Sequence, residues 1–111
     1  MEVLKVSTKS SPNAVAGALA GILRAGKPVE LCVVGAGALN QAIKAVAIAR
    51  MFVLDDGIDV VCVPSFSEVS IGGESRTALC VRVEDRRAGA KGDETLDLTA
   101  AEFEPAESAE A

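Results

Sequence analysis

The apolar run Val29–Val34 breaks at Gly35-Ala36-Gly37 and passes at once into a long helical pattern ending near Leu54. Few folds allow that junction. A strand that turns straight into a helix belongs to a layered α/β domain, where the helix covers the sheet it has just left. The turn leaves several backbone N–H groups unpaired, and the helix dipole favours an anion above them. Asn40, Gln41 and Lys44 lie close to that end of the helix.

A second junction of the same kind comes earlier. Glu2–Ser7 reads as a short strand, and Thr8-Lys9-Ser10-Ser11 as a polar loop. Ser11 followed by Pro12 reads as an N-cap with proline in the first turn, which starts a helix running to about Ala25. Val15, Leu19, Ile22 and Leu23 form its apolar stripe, and Ala14, Gly17, Ala18 and Gly21 a face of small residues. Each glycine costs roughly 1 kcal/mol relative to alanine. Close packing against the domain's own sheet, or against another subunit, is expected to offset it. Gly26-Lys27-Pro28 stops the helix.

The strand over 29–34 reads as buried on both sides. In the second helix, Leu39, Ala42, Ile43, Val46 and Val53 project to one face, while Ile48, Met51 and Phe52 project elsewhere. One sheet can cover only one of these faces. Ile48, Met51 and Phe52 are therefore assigned to an oligomer interface, in a homodimer or higher homo-oligomer.

Asp55-Asp56-Gly57 is a turn, and Asp55, Asp56 and Asp59 read as solvated acids. Ile58–Phe66 is a strand in which Pro64 marks an edge position or the end of pairing. Residues 67–75 connect it to a last strand, Arg76–Glu84. The order βαβαββ, with right-handed crossovers, predicts an α/β two-layer sandwich. Its sheet is four-stranded and mixed, in the order 1-2-4-3, with both helices on one face. The domain is expected over residues 1–87. Residues 88–111 carry one lysine against seven acids, and read as an acidic, disordered C-terminal tail.

Several function classes are set aside by composition. The 111 residues contain no histidine, which removes the usual zinc sites and His-dependent triads. No nucleophile–base pair can be nominated, so the chain reads as a non-enzyme without a cofactor. Gly35-x-Gly37-x-x-Asn40 lacks the third glycine of a dinucleotide fingerprint. Cys32, Cys80 and Cys62 form no C-x-x-C and read as small buried side chains rather than a disulfide framework. The apolar runs are broken by charges before reaching a membrane span, and the N-terminus lacks a signal-peptide pattern; a cytoplasmic protein is expected.

Both helix-opening turns follow parallel strands, so they belong at one end of the sheet, where open α/β sheets bind ligands. That would gather Lys9, Ser10, Ser11, Asn13, Gly35, Gly37, Asn40, Gln41 and Lys44 around one region suited to a phosphate backbone. The alternative is that Ser11 and Asn40 only cap and pack.

The blocks Leu4–Gly21 and Gly35–Arg50 closely resemble the stage V sporulation protein S family, over roughly residues 2–86. That resemblance implies a regulatory role in bacterial spore development. The pattern is more distantly similar to Alba, the archaeal chromatin protein. Alba implies a βαβαββ dimer binding DNA or RNA through the first loop, the start of the second helix and the long hairpin, where Arg76 lies. Here Ser10 and Ser11 stand where Alba-type proteins carry basic residues, and Glu68 and Glu74 accompany Arg76. Fewer cations imply weaker binding through backbone contacts with little sequence readout. The leading expectation is a small nucleic-acid-binding regulator. The alternatives are an oligomeric protein-interaction scaffold and a binder of a small anion.

Overall fold

A computed structural model describes residues 1–87, so the acidic tail expected over 88–111 lies outside the described residues. The elements are β1 (Glu2–Lys5), α1 (Pro12–Arg24), β2 (Val29–Val33), α2 (Ala36–Val53), β3 (Val60–Ile71) and β4 (Glu74–Asp85), with a 3-10 turn at Leu54–Asp56. The sheet order is β1-β2-β4-β3. β1 and β2 run parallel, and β4 is antiparallel to both of its neighbours. The predicted βαβαββ sandwich is therefore the observed one. Pro64 sits in β3, an edge strand, which tolerates its missing N–H.

Side-chain alternation along β2 decides where the core lies. Val29, Leu31 and Val33 are buried, while Glu30 and Cys32 are only half-buried on the other face. The strand predicted to be covered on both sides is thus covered on one. Val29, Leu31 and Val33 meet Val81 and Val83 of β4, Ala16, Leu19, Ala20 and Leu23 of α1, and the inner stripe of α2 in one cluster.

That stripe is Ala38, Ala42, Ala45, Ala49 and Val53, which corrects the predicted one. The larger residues are pushed aside: Leu39, Val46 and Ile48 are partly buried at its flanks, and Ile43 is 44% exposed. The reason is distance. Alanine lets the helix backbone approach the strands, whereas a row of Leu and Ile would hold it off. The stretch Ala36–Asp56 is also long and apolar enough, by composition, to cross a membrane, contrary to expectation. In this fold its alanine row packs on the sheet, and Lys44 and Arg50 are exposed along it.

The glycine face of α1 is a second correction. Gly17 and Gly21 are exposed, and nothing lies within 4 Å of a Cβ built on either. They do not pack closely on the sheet of their own domain. The hairpin is a third. β3 and β4 pair through Ile71 and Glu74 around the two residues Gly72 and Gly73, both at positive φ, so strand replaces most of the predicted connection. β2 stops pairing at Val33–Leu79, and the outer half of the hairpin extends beyond it.

The cysteine reading fails as well. Cys32 and Cys80 face each other across β2 and β4, with Cα atoms 4.1 Å apart, and are joined by a disulfide. Both were expected to be inert packing groups. Cys62 is the free cysteine among the described residues, and it packs partly buried against the core on the opposite, helix-covered face.

Candidate functional site

The loop before α1 is built from serines that bond to each other and to their own backbone. Ser7 N–H donates to Ser10 Oγ at 2.9 Å, Lys9 N–H to Ser7 Oγ at 3.1 Å, and Ser10 N–H to the Ser7 carbonyl at 3.1 Å. Ser11 Oγ accepts from Ala14 N–H at 3.3 Å, which is the predicted cap. The hydroxyls of Ser10 and Ser11 are thus engaged as acceptors, and Ser10 Oγ also lies 3.5 Å from Ser7 Oγ.

The opening of α2 is different. Its N-cap is Gly35, at φ 93° and ψ 158°, with no side-chain cap. The N–H groups of the first turn therefore have no capping oxygen. Only glycine takes that backbone conformation without strain. Gly35→Ala is expected to cost about 1–3 kcal/mol of unfolding free energy. Urea denaturation checks this; a change within about 0.5 kcal/mol, the ordinary surface value, would sink it.

Two contacts hold the openings side by side. Gln41 Nε2 donates to the Ser10 carbonyl at 2.9 Å, tying the second turn of α2 to the α1 loop. A Cβ on Gly37 would stand 2.8 Å from Thr8 Cγ2, so any larger residue there would displace the Thr8 side chain. Gln41 is half-buried and acts as a strut. Lys9, Asn13, Gly35, Gly37 and Asn40 are exposed around the same end, Lys44 is exposed about halfway along α2, and Arg76 is exposed on the projecting hairpin.

Between these parts lies a cleft of about 370 Å³. Val6, Thr8, Val33 and Ala38 line one side of it, and Val69 and Ile71 of the hairpin the other. Lys5 also borders the cleft, and sequence reasoning did not select it. The available signal was its place as the last residue of β1, directly before the loop.

Charge divides the molecule by ends. Away from the two openings, Arg24 Nε meets Asp56 at 2.9 Å, and Asp59 takes Arg50 at 3.2 Å and Arg86 at 2.8 Å. Asp55 and Asp56 are exposed, as expected of turn acids, and Asp56 and the half-buried Asp59 in addition take arginine partners. At the site end, no described acid lies within ion-pair distance of Lys5, Lys9, Lys44 or Arg76. Glu68, nearby on the hairpin, accepts from Ser75 Oγ at 3.0 Å.

Of the residues expected at an oligomer interface, Met51 is 73% and Phe52 45% exposed, whereas Ile48 is half-buried against the core. Ile43 and Leu54 add exposed apolar surface on the outward side of α2. The helix phase selects them: residues 43, 51 and 54 project together once the alanine row faces inward.

The predicted motif blocks occupy the two helix openings, and the chain around them matches a known family over almost the whole described domain. The family model for Stage V sporulation protein S matches residues 2–86. This chain belongs to the stage V sporulation protein S family, a family of small sporulation-related proteins.

Proposed function

We propose that this protein is a nucleic-acid-binding regulator of bacterial sporulation or cell development that grips the phosphate backbone. One observation carries the reading. Two helix N-termini are tied together at the end of the sheet where the cations have no acid partner. Most acids of the described chain gather at the other end, about 27 Å away along the 18 residues of α2. Phosphate would meet the uncapped N–H groups of α2, the hydroxyls of Ser10 and Ser11, and Lys5, Lys9, Lys44 and Arg76. Asn13 and Asn40 would contribute amide donors. The contacts are to backbone, so sequence readout is weak. The chain works as a homodimer or higher homo-oligomer through Met51, Phe52 and the neighbouring Ile43 and Leu54. Its setting is the bacterial cytoplasm, and it is not an enzyme.

Salt-titrated binding of DNA and RNA oligonucleotides tests this, using the full chain and a chain ending at Arg87. Each lost phosphate contact lowers the slope of log K against log salt by roughly 0.9 on duplex DNA. The Lys9→Ala/Lys44→Ala pair should therefore lower it by roughly 1.8 and weaken binding to all sequences alike. Absence of binding at about 50 mM salt by both chains would overturn the proposal. The exposed apolar row Ile43, Met51 and Leu54 favours a second reading, an oligomeric scaffold acting through protein contacts. A stable protein partner unaffected by the two lysine substitutions would support that instead.

A further inference from the structure

We infer that Cys32, Cys80 and Glu30, once the Cys32–Cys80 bond is reduced, form a binding site for a thiophilic divalent ion of the zinc and cadmium class. The three residues lie together on the sheet face that the helices leave open. Their two sulfurs and a carboxylate oxygen all fall within 4.8 Å of one another. Donors around a tetrahedral zinc with bonds of about 2.3 Å stand about 3.8 Å apart, so the two sulfurs, now covalently joined, separate to that distance once reduced.

Sheet register keeps the cluster assembled after reduction. β2 and β4 pair from Val29–Val83 to Val33–Leu79, with Cys32–Cys80 inside that ladder. The cysteines therefore remain neighbours when their bond is broken, and small side-chain rotations open the gap between the sulfurs. Glu30 sits two residues before Cys32, on the same face.

The surroundings leave the donors available. Arg82 stands directly opposite Glu30 but turns away, its Nε donating to Glu84 Oε1 at 2.9 Å. Among the described residues, Glu30 has no hydrogen-bond or ion-pair partner of its own side chain. Lys5 occupies the neighbouring register position to Cys32 on β1. Cys32 also borders the open cleft, which supplies an entry path.

The chemistry balances. A dithiol reductant supplies two electrons and two protons, the Sγ–Sγ bond breaks, two thiols form, and the reductant closes its own disulfide. The metal ion then displaces the two thiol protons to solvent. Two soft thiolates and one carboxylate occupy three positions, leaving a fourth for water or another ligand. Disulfide and metal site are mutually exclusive states of one pair of sulfurs.

Titration of the full-length chain with Cd²⁺, reduced by a phosphine and followed by the thiolate-to-metal charge-transfer band, tests the inference. The phosphine leaves as its oxide with the oxygen of water, and its excess is removed by anaerobic desalting before the ion is added. One Cd²⁺ per chain is expected for the reduced protein and none for the oxidised one. Cys62→Ser, on the other sheet face, should bind like the wild type. Cys32→Ser and Cys80→Ser should each weaken binding by more than about a hundredfold, beyond the usual effect of outer-shell losses, and Glu30→Gln by at least about tenfold. If the cysteine variants fail to fold, the Cys62→Ser and Glu30→Gln chains still decide. Absence of Cd²⁺ binding by the reduced wild type, loss of binding in Cys62→Ser, or unchanged affinity in Glu30→Gln would each overturn the three-donor site.

Discussion

Reduction of the Cys32–Cys80 bond should lower the unfolding free energy by between about 3 and about 4.7 kcal/mol, the range for closed loops of 15 to 100 residues. The bond closes a separation of 48 residues, inside that range. It also joins the parallel βαβ half of the sheet, through β2, to the antiparallel hairpin, through β4. In the unfolded chain those halves would otherwise move independently. Small domains hold only about 5–15 kcal/mol in total, so a loss of this size removes a large share. Urea unfolding of the metal-free chain with and without reductant measures it. A Cys32→Ala/Cys80→Ala pair under oxidising conditions should match the reduced wild type, and Cys62→Ala should not. Transitions that coincide with and without reductant would show that the bond contributes nothing.

Leu31→Ala should destabilise the domain by about 2–5 kcal/mol, the cost of a large-to-small change in a closed core. Leu31 is fully buried in the middle of β2, in register with Leu4 of β1 on one side and Val81 of β4 on the other. The loss comes in two parts. The contact and transfer energy of three carbons disappears, and a cavity opens beneath the helices. The cavity cannot collapse easily. The α2 residues above the sheet are alanines, whose Cβ atoms have no rotamer to swing into the gap. Chemical denaturation reads the change, and an effect under about 1 kcal/mol would mean that the helices sink to fill the space.

The candidate site depends on the same layer. Gly35, Gly37 and Gln41 lie at the start of α2, and the alanine row sets how near that helix sits to the strands and to the α1 loop. Substitutions that lift α2 should therefore disturb the pairing of the two helix openings before they touch any exposed lysine. This is why stability and binding should be measured on the same variants.

Element order, the Ser11-Pro12 helix start and the glycine turn before α2 were legible in the chain alone, because each rests on chemistry between residues a few positions apart. Crossover handedness put both helices on one face, the expected strand order 1-2-4-3 is the observed one, and the family was legible in two motif blocks. Juxtaposition of the two openings was legible too, since parallel strands place their C-terminal ends together. Tertiary structure alone decided the rest. Cys32 and Cys80, 48 residues apart, meet only through the β2–β4 register, which no local pattern encodes. The inward face of α2 went to alanines rather than Leu39 and Ile43, because the gap between helix and sheet rewards small side chains over hydrophobic ones. Arg24, Arg50 and Arg86 were drawn to acids on other segments, while Lys5, Lys9, Lys44 and Arg76 were left without an ion-pair partner among the described residues. In each case the deciding quantity is a distance between segments remote in sequence, which only the packed chain sets.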